Sequence, residues 1–256
     1  MNIKQLLTSK RMLKYLSFVI VFTAWEIAGR IPISPAFPTF SATMIALWDM
    51  IMDGSMLKAY PETLRPLLIG VGISAVLGVA AGVWMGLSSV GEWLLSPIFI
   101  VAQAAPLAAL IPLLVLAYGI GLTAKVMVVA IMAMPVIVLN SMSGVRSTNR
   151  SLIEMGTSFL ASRRDIITRI VLPSASPVIF AGLRLGLSAG FIGAILSELL
   201  ITPTGIGDLI TFSQSRADYA RMYAAIFSII AVAVVTLDLL EWVEVRWLRP
   251  DRKGAR

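Results

Sequence analysis

The chain is 256 residues long, 58% hydrophobic and only 14% charged, with a mean hydropathy of +0.88. A soluble domain is about 45–50% apolar and about 25% charged, so one aqueous core cannot bury this surplus and lipid must be the solvent for much of the chain. The net charge of +7 and pI near 10.1 do not indicate nucleic acid, because the basic residues sit at the ends of apolar runs, where headgroups and the insertion rule place them.

A span needs about 20 mostly apolar residues. Six candidates follow in order: Leu13–Ala28, Leu64–Leu87, Pro97–Tyr118, Ala124–Val145, Pro177–Leu200 and Met222–Val243. The first is short, is preceded by Lys4, Lys10 and Arg11, and ends at Trp25-Glu26. No small-x-small cleavage site follows it, so it reads as an uncleaved anchor. Between the first two spans, residues 32–61 form an external segment that opens with Pro32, Pro35 and Pro38. It then places Phe40, Met44, Leu47 and Ile51 on one helical face before Gly54 stops the run. Such a helix lies on the membrane surface or receives a partner.

Residues 146–173 are too long and polar for a simple connection. Ser151-Leu-Ile-Glu154 reads as a capping box opening one short helix, and Ser162-Arg-Arg-Asp165 opens a second. Pro173 is expected to end that second helix, with Pro177 at the first position of the next span. Lys and Arg concentrate in the N-terminal lead, in 146–173 and in the tail (Arg246, Arg249, Arg252, Lys253, Arg256). That bias puts both termini and 146–173 in the cytoplasm of a multi-pass protein. The loop Thr202–Ala220 is then external, where it caps a pore or connects spans. The fold expected is all-α: one polytopic transmembrane domain over residues 1–256, with six transmembrane helices.

Within the spans, Gly78, Gly82 and Gly86 recur every four residues, as do Gly182, Gly186 and Gly190. Small residues at this spacing let another helix backbone approach closely, within the chain or between subunits. Gln103, Asn140, Arg184, Glu198 and Asp238 are polar groups at membrane depth, each costly unless paired or wet. Arg184 is near enough to the cytoplasmic end to snorkel, and Glu198 either faces solvent at the outer mouth or caps a gate. Pro106, Pro112 and Pro135 imply kinks. Gln103, Pro106, Asn140, Arg184 and Glu198 are the candidate translocation-pathway residues.

The chemistry available is narrow. With no His and no Cys, the usual general base, thiol catalysis and the commonest metal ligands are gone, so neither a metal nor a cofactor is expected. There is no Gly-x-x-x-x-Gly-Lys-Ser/Thr loop, so any ATP is bound by another chain. A membrane hydrolase lacks a nucleophile–base pair at suitable spacing. A stand-alone secondary transporter or channel remains as an alternative, although it has no need of the capped cytoplasmic insertion.

Glu154-Met-Gly156, Leu160-Ala-Ser-Arg163 and Ile170-Val-Leu-Pro173 together resemble the EAA loop of binding-protein-dependent ABC importer permeases. The sequence departs from that pattern at Met155 and Gly156, normally Ala, and at Leu160, normally Gly. Trp25-Glu26, Pro35-Ala-Phe-Pro38, Ala105-Pro106, Tyr118-Gly-Ile-Gly121 and Gly182-Leu-Arg184 extend the likeness from about Leu13 to Trp247, toward the nitrate/sulfonate/taurine branch. The resemblance implies a type I importer permease fold in the bacterial inner membrane. It implies a cytoplasmic ABC ATPase and a periplasmic or lipid-anchored solute-binding protein as partners, with a second permease copy completing the pore. It makes Glu154, Met155, Gly156, Leu160, Ala161, Ser162, Arg163 and Pro173 the ATPase-coupling residues. At 160 a left-handed residue is natural between the two helices, so Leu there costs about 1 kcal/mol if the backbone is kept; otherwise the first helix runs on.

Overall fold

A computed structural model describes residues 10–248, apart from 32, 33 and 35. The expected basic residues Lys4, Arg249, Arg252, Lys253 and Arg256, and the prolines Pro32 and Pro35, lie outside the described residues. Every regular element among them is helical: α1 Lys10–Arg30, α2 Phe40–Met52, α3 Ser55–Leu87, α4 Ser89–Ala104, a 3₁₀ turn Leu107–Leu110, α5 Ile111–Tyr118, α6 Leu122–Arg146, α7 Arg150–Ser158, α8 Arg163–Ile166, a π turn Ile167–Val171, α9 Leu172–Leu200, α10 Gly205–Ser215 and α11 Tyr219–Leu248.

The glycine rows set the arrangement. On α3, a Cβ added at Gly70, Gly78, Gly82 or Gly86 would meet Val129, Ile137, Val138 or Val145 of α6 at 3.0 Å or less. On α9, the same atom at Gly182 or Gly186 would meet Asn140 or Ile137 of α6 within 2.5 Å. The two rows therefore clasp α6 from both sides, and α6 is the helix with the most buried apolar stretch, 50% against 28% for α3 and 22% for α11. Ser74 Oγ crosses the first contact to the Ala130 carbonyl at 3.2 Å, supplying internally a hydrogen bond that lipid cannot. One apolar cluster joins α2, α3, α6, α9, α10 and α11 around Met50, Met56, Leu67, Phe191 and Ile206. A second, around Val145, Val171, Ala175 and Ile179, seats α7 and α8 on the other end of the bundle.

α1 is fastened to α2 and α11 by aromatic rings: Phe22 and Trp25 each lie 4.6–6.4 Å from Phe40 and Phe227. Trp25 Nε1 donates to the Pro38 carbonyl at 3.1 Å. Glu26 accepts from the Ser41 amide at 2.9 Å, so α1 caps the start of α2 from outside it.

Several expectations need correction. Among the described residues four helices are long and apolar enough to cross a membrane (Ser55–Leu87, Leu122–Arg146, Arg163–Leu200, Tyr219–Arg246), and the bent pair α4 and α5 makes a fifth when counted as one span. The third span is thus not one helix from Pro97 to Tyr118. The chain bends by 90° between Ser89–Ala104 and Ala108–Tyr118, because Pro106 supplies no amide and holds the residue before it extended (Ala105, ψ 144). The second span begins not at Leu64 but at Ser55, so the end of the segment 32–61 is the start of α3. In α2 the buried face carries Thr43, Ala46 and Met50, whereas Ile51 of the anticipated stripe is exposed. The tertiary contact with α3 and α11 selects a face one position round from the most apolar one.

Pro173 does not end a helix. Arg163–Leu200 is one continuous run of 38 residues, about 57 Å at helical rise. The turn just before the proline widens so that the Leu172 amide reaches back to the Ile167 carbonyl. That π turn absorbs the missing donor and the ring that would crowd the preceding turn. Pro177 accordingly lies inside α9 rather than opening it.

The clasp predicts a contrast within one helix. Gly82→Ala places a Cβ 2.5 Å from the Val138 carbonyl oxygen, whereas Gly72→Ala meets nothing within 4 Å. Gly82→Ala is expected to lower thermal stability in detergent by about 1–3 kcal/mol, and Gly72→Ala to leave it unchanged or slightly raised. Equal melting of the two variants would contradict the packing.

Candidate functional site

Two places gather candidate side chains: the α7–α8 elbow at one end of the bundle and a buried polar knot around Glu198 at the other. At the elbow, α7 is not opened by a Ser151–Glu154 capping box. The N-cap is Asn149, whose side chain accepts from the Ser151 amide at 3.0 Å, which leaves Ser151 inside the first turn. Asn competes as well as Ser for that position, and the helix starts two residues earlier than the box requires. Glu154 is consequently free of a capping role. It is exposed and lies 3.6 Å from Arg150 one turn earlier, a surface pair of small worth. Ser162 does cap α8, accepting from the Asp165 amide at 3.2 Å.

α7 presses on the bundle through Ile153 and Gly156; a Cβ at Gly156 would sit 2.8 Å from Ile170. The close approach explains why Gly stands where the EAA pattern has Ala. The opposite face presents Leu152, Met155, Phe159 and Leu160 to the exterior, Phe159 at 79% and Leu160 at 92% exposure. Between the helices Leu160 keeps the left-handed backbone at φ 56. Its amide bonds the Thr157 carbonyl at 2.9 Å and the Ala161 amide bonds the Gly156 carbonyl at 3.1 Å, a complete Schellman ending built without glycine. Arg163 opens α8 and Pro173 sits exposed at the start of α9.

At the other end, Glu198 is 1% exposed and does not face solvent. It accepts from Thr63 Oγ1 at 2.7 Å and from the Gly207 amide at 2.8 Å. Lys125 of α6 is buried, with its Nζ on Thr204 Oγ1. Arg184 does not simply snorkel either: its guanidinium lies 3.3 Å from Glu244 and 3.7 Å from Glu241 of α11. Thr63 is 135 residues from Glu198 in sequence, and Glu241 and Glu244 lie on a different helix from Arg184, so no local spacing could have paired them. The one sequence signal for Glu244 is a carboxylate three residues after Glu241 inside the last apolar run.

The other pathway candidates are not gathered with these. Asn140 is half-buried against Gly182 and donates to its own helix at the Val136 carbonyl, 2.8 Å. Gln103 and Pro106 are exposed at the α4–α5 bend, and Asp238 is exposed on α11. Among the described residues no group of three or more carboxylates is placed to hold a metal ion.

A family model described as the binding-protein-dependent transport system inner membrane component matches residues 74–249. The riboflavin transport system permease protein RibX of Chloroflexus aurantiacus is 28% identical over 239 residues, 90% of this chain and 88% of that one. The taurine transport system permease protein TauC of Escherichia coli is 27% identical over 227 residues, 86% and 82% of the two chains. In structure, an inward-facing form of the MetNI methionine ABC transporter superposes with a TM-score of 0.62 at 18% identity, over 78% of this chain and 97% of that one, a likeness of fold.

Two consequences can be measured. Leu160→Gly removes the left-handed strain and is expected to stabilise the end of α7 by about 1 kcal/mol, read as slower hydrogen exchange at residues 159–161; unchanged exchange would show that the turn carries no strain. Arg184→Leu leaves the buried Glu244 without its cation and should destabilise the chain by on the order of 2 kcal/mol, less than for a fully buried pair because Arg184 is part-exposed. Adding Glu244→Leu should recover part of that loss in a melting experiment.

Proposed function

The chain belongs to the binding-protein-dependent transport system inner membrane component family, and from that membership we propose how its two ends divide the work of transport. It is a non-catalytic permease subunit of an ATP-driven importer, in the nitrate/sulfonate/taurine branch, and ATP is hydrolysed by a partner ATPase. The site of work is the inner membrane, with an ATPase and a solute-binding protein as partners.

The solute we assign is small and anionic or polar organic, such as a sulfonate, taurine or nitrate. The support is that relatives are named for taurine, aliphatic sulfonates, nitrate and riboflavin. The chain as a whole, 1–256, forms one transmembrane domain of six spans, with α1 as the first and both termini in the cytoplasm. Two copies enclose the pathway. Gln103, Pro106, Asn140 and Arg184 lie along it, the bend at Pro106 opening backbone to the cavity. Gly78, Gly82, Gly86, Gly182, Gly186 and Gly190 keep the moving helices in register.

Coupling is assigned to 146–173. The observation that carries it is the outer face of α7 and its end, where Leu152, Met155, Phe159 and Leu160 stand in the open around an exposed Glu154 that makes no cap. Apolar side chains exposed together on a rigid, capped helix suit burial by a partner. Glu154, Met155, Leu160, Ala161, Ser162 and Arg163 are the contact residues, with Gly156 and Pro173 setting how α7 and α8 sit on the bundle. A stand-alone transporter would leave this face without a use.

The test is capture of the ATPase from membranes by the tagged permease. Glu154→Lys, which keeps the helix and reverses one exposed charge, is expected to reduce capture severely while membrane insertion is normal. Wild-type capture by that variant would remove Glu154 from the contact.

A further inference from the structure

The join between α9 and α10 is made by a side chain. Glu198, near the end of α9, accepts the Gly207 amide at 2.8 Å and the Thr63 hydroxyl at 2.7 Å, and Thr63 in turn accepts the Ile206 amide at 2.9 Å. Thr204, at the N-cap of α10, makes no cap with its own side chain; its hydroxyl is taken by the buried Lys125 of α6. The orphan amides of the first turn of α10 are therefore satisfied from α3 and α9. Gly205, at φ +69, and Gly207 make the contact possible, because a Cβ on either would fall onto the Glu198 side chain.

Separating α10 from α3 and α9 would leave the Ile206 and Gly207 amides without partners and take from the buried Glu198 carboxyl one of its two donors, each loss costly in a dry interior. The two are one body as long as the knot is closed. α9 is also the helix that continues without a break from Arg163 at the elbow to Leu200. The elbow and α10 are thus the two ends of a single rod.

We propose that Glu198 is a positioning residue for transport: it clamps α10 to α9, so that a displacement imposed on the elbow is delivered to α10 at the far mouth of the pathway. The proposal rests on the importer reading above. It resolves the role of α10 in favour of a pore cap that moves, and it makes Thr63 and Lys125 parts of the clamp.

The chain has no native cysteine, so Gln214→Cys on the exposed last turn of α10 reports that helix alone. The complex captured with its ATPase is placed in vesicles and labelled with a bulky maleimide, without nucleotide and after trapping with MgATP and orthovanadate. The parent is expected to label at different rates in the two states. That difference should be lost in Glu198→Ala and in the milder Thr63→Val, and kept in Glu198→Gln, which still accepts the Gly207 amide. A difference preserved in Glu198→Ala or Thr63→Val, even with lowered melting temperature, would mean a structural brace and overturn the clamp. So would a parent whose label ignores nucleotide. A chain that captures no ATPase would instead overturn the importer reading, and the clamp with it.

Discussion

The contact on which the rest of this molecule depends is the approach of two glycine rows to α6. In lipid there is no hydrophobic gain from bringing helices together, so close packing and internal hydrogen bonds must supply the adhesion. The α3 row and the α9 row each let a backbone come against the valines and isoleucines of α6, and the Ser74–Ala130 bond is made across one of these seams. With α6 held on both sides, α3, α6 and α9 act as a rigid block. The elbow sits on one end of it and the Glu198 knot on the other.

The two ends obey the same rule by different means. At the elbow the helix ends are satisfied locally, through Asn149, Ser162 and the Schellman turn at Leu160. Around Glu198 the polar groups are buried, and their partners come from four helices. A local cap survives the movement of its neighbours, whereas a shared cap ties neighbours together. The elbow is therefore suited to being gripped from outside, and the knot to carrying motion between helices. Ala217 shows that the left-handed ending at Leu160 is not isolated: it has φ 56, and with Asp218 it closes α10 through bonds to Gln214 and Ser213. Both endings accept the cost of a side chain at a position glycine would fill more easily.

Much of the fold was legible in the sequence, since apolar runs of spanning length and basic flanks are imposed by the bilayer itself. The elbow helices were legible too, and of the two outcomes left open at Leu160 the left-handed one is found. The caps were legible only in part. Ser162 and Ser151 both head plausible boxes, yet only Ser162 caps, because Asn149 stands two residues ahead of Ser151 and captures the first turn. The proline breaks were legible in part: a kink was expected at Pro106, whereas the helix end expected at Pro173 is absent. Pro106 bends its span by a right angle, while Pro173 is carried through by one π turn.

By itself the sequence determined the solvent, the helical class and the glycine faces. Each of these follows from local composition or from a period of about 3.6 residues. It determined none of the long-range polar partners. That Glu198 closes on Thr63 and Gly207, that Lys125 is buried on Thr204 and that Arg184 meets Glu241 and Glu244 were decided by which helices lie side by side. The reason is physical: a polar group in a dry interior takes whatever partner the packing brings within hydrogen-bond reach, and packing is fixed by the whole bundle rather than by any stretch of sequence.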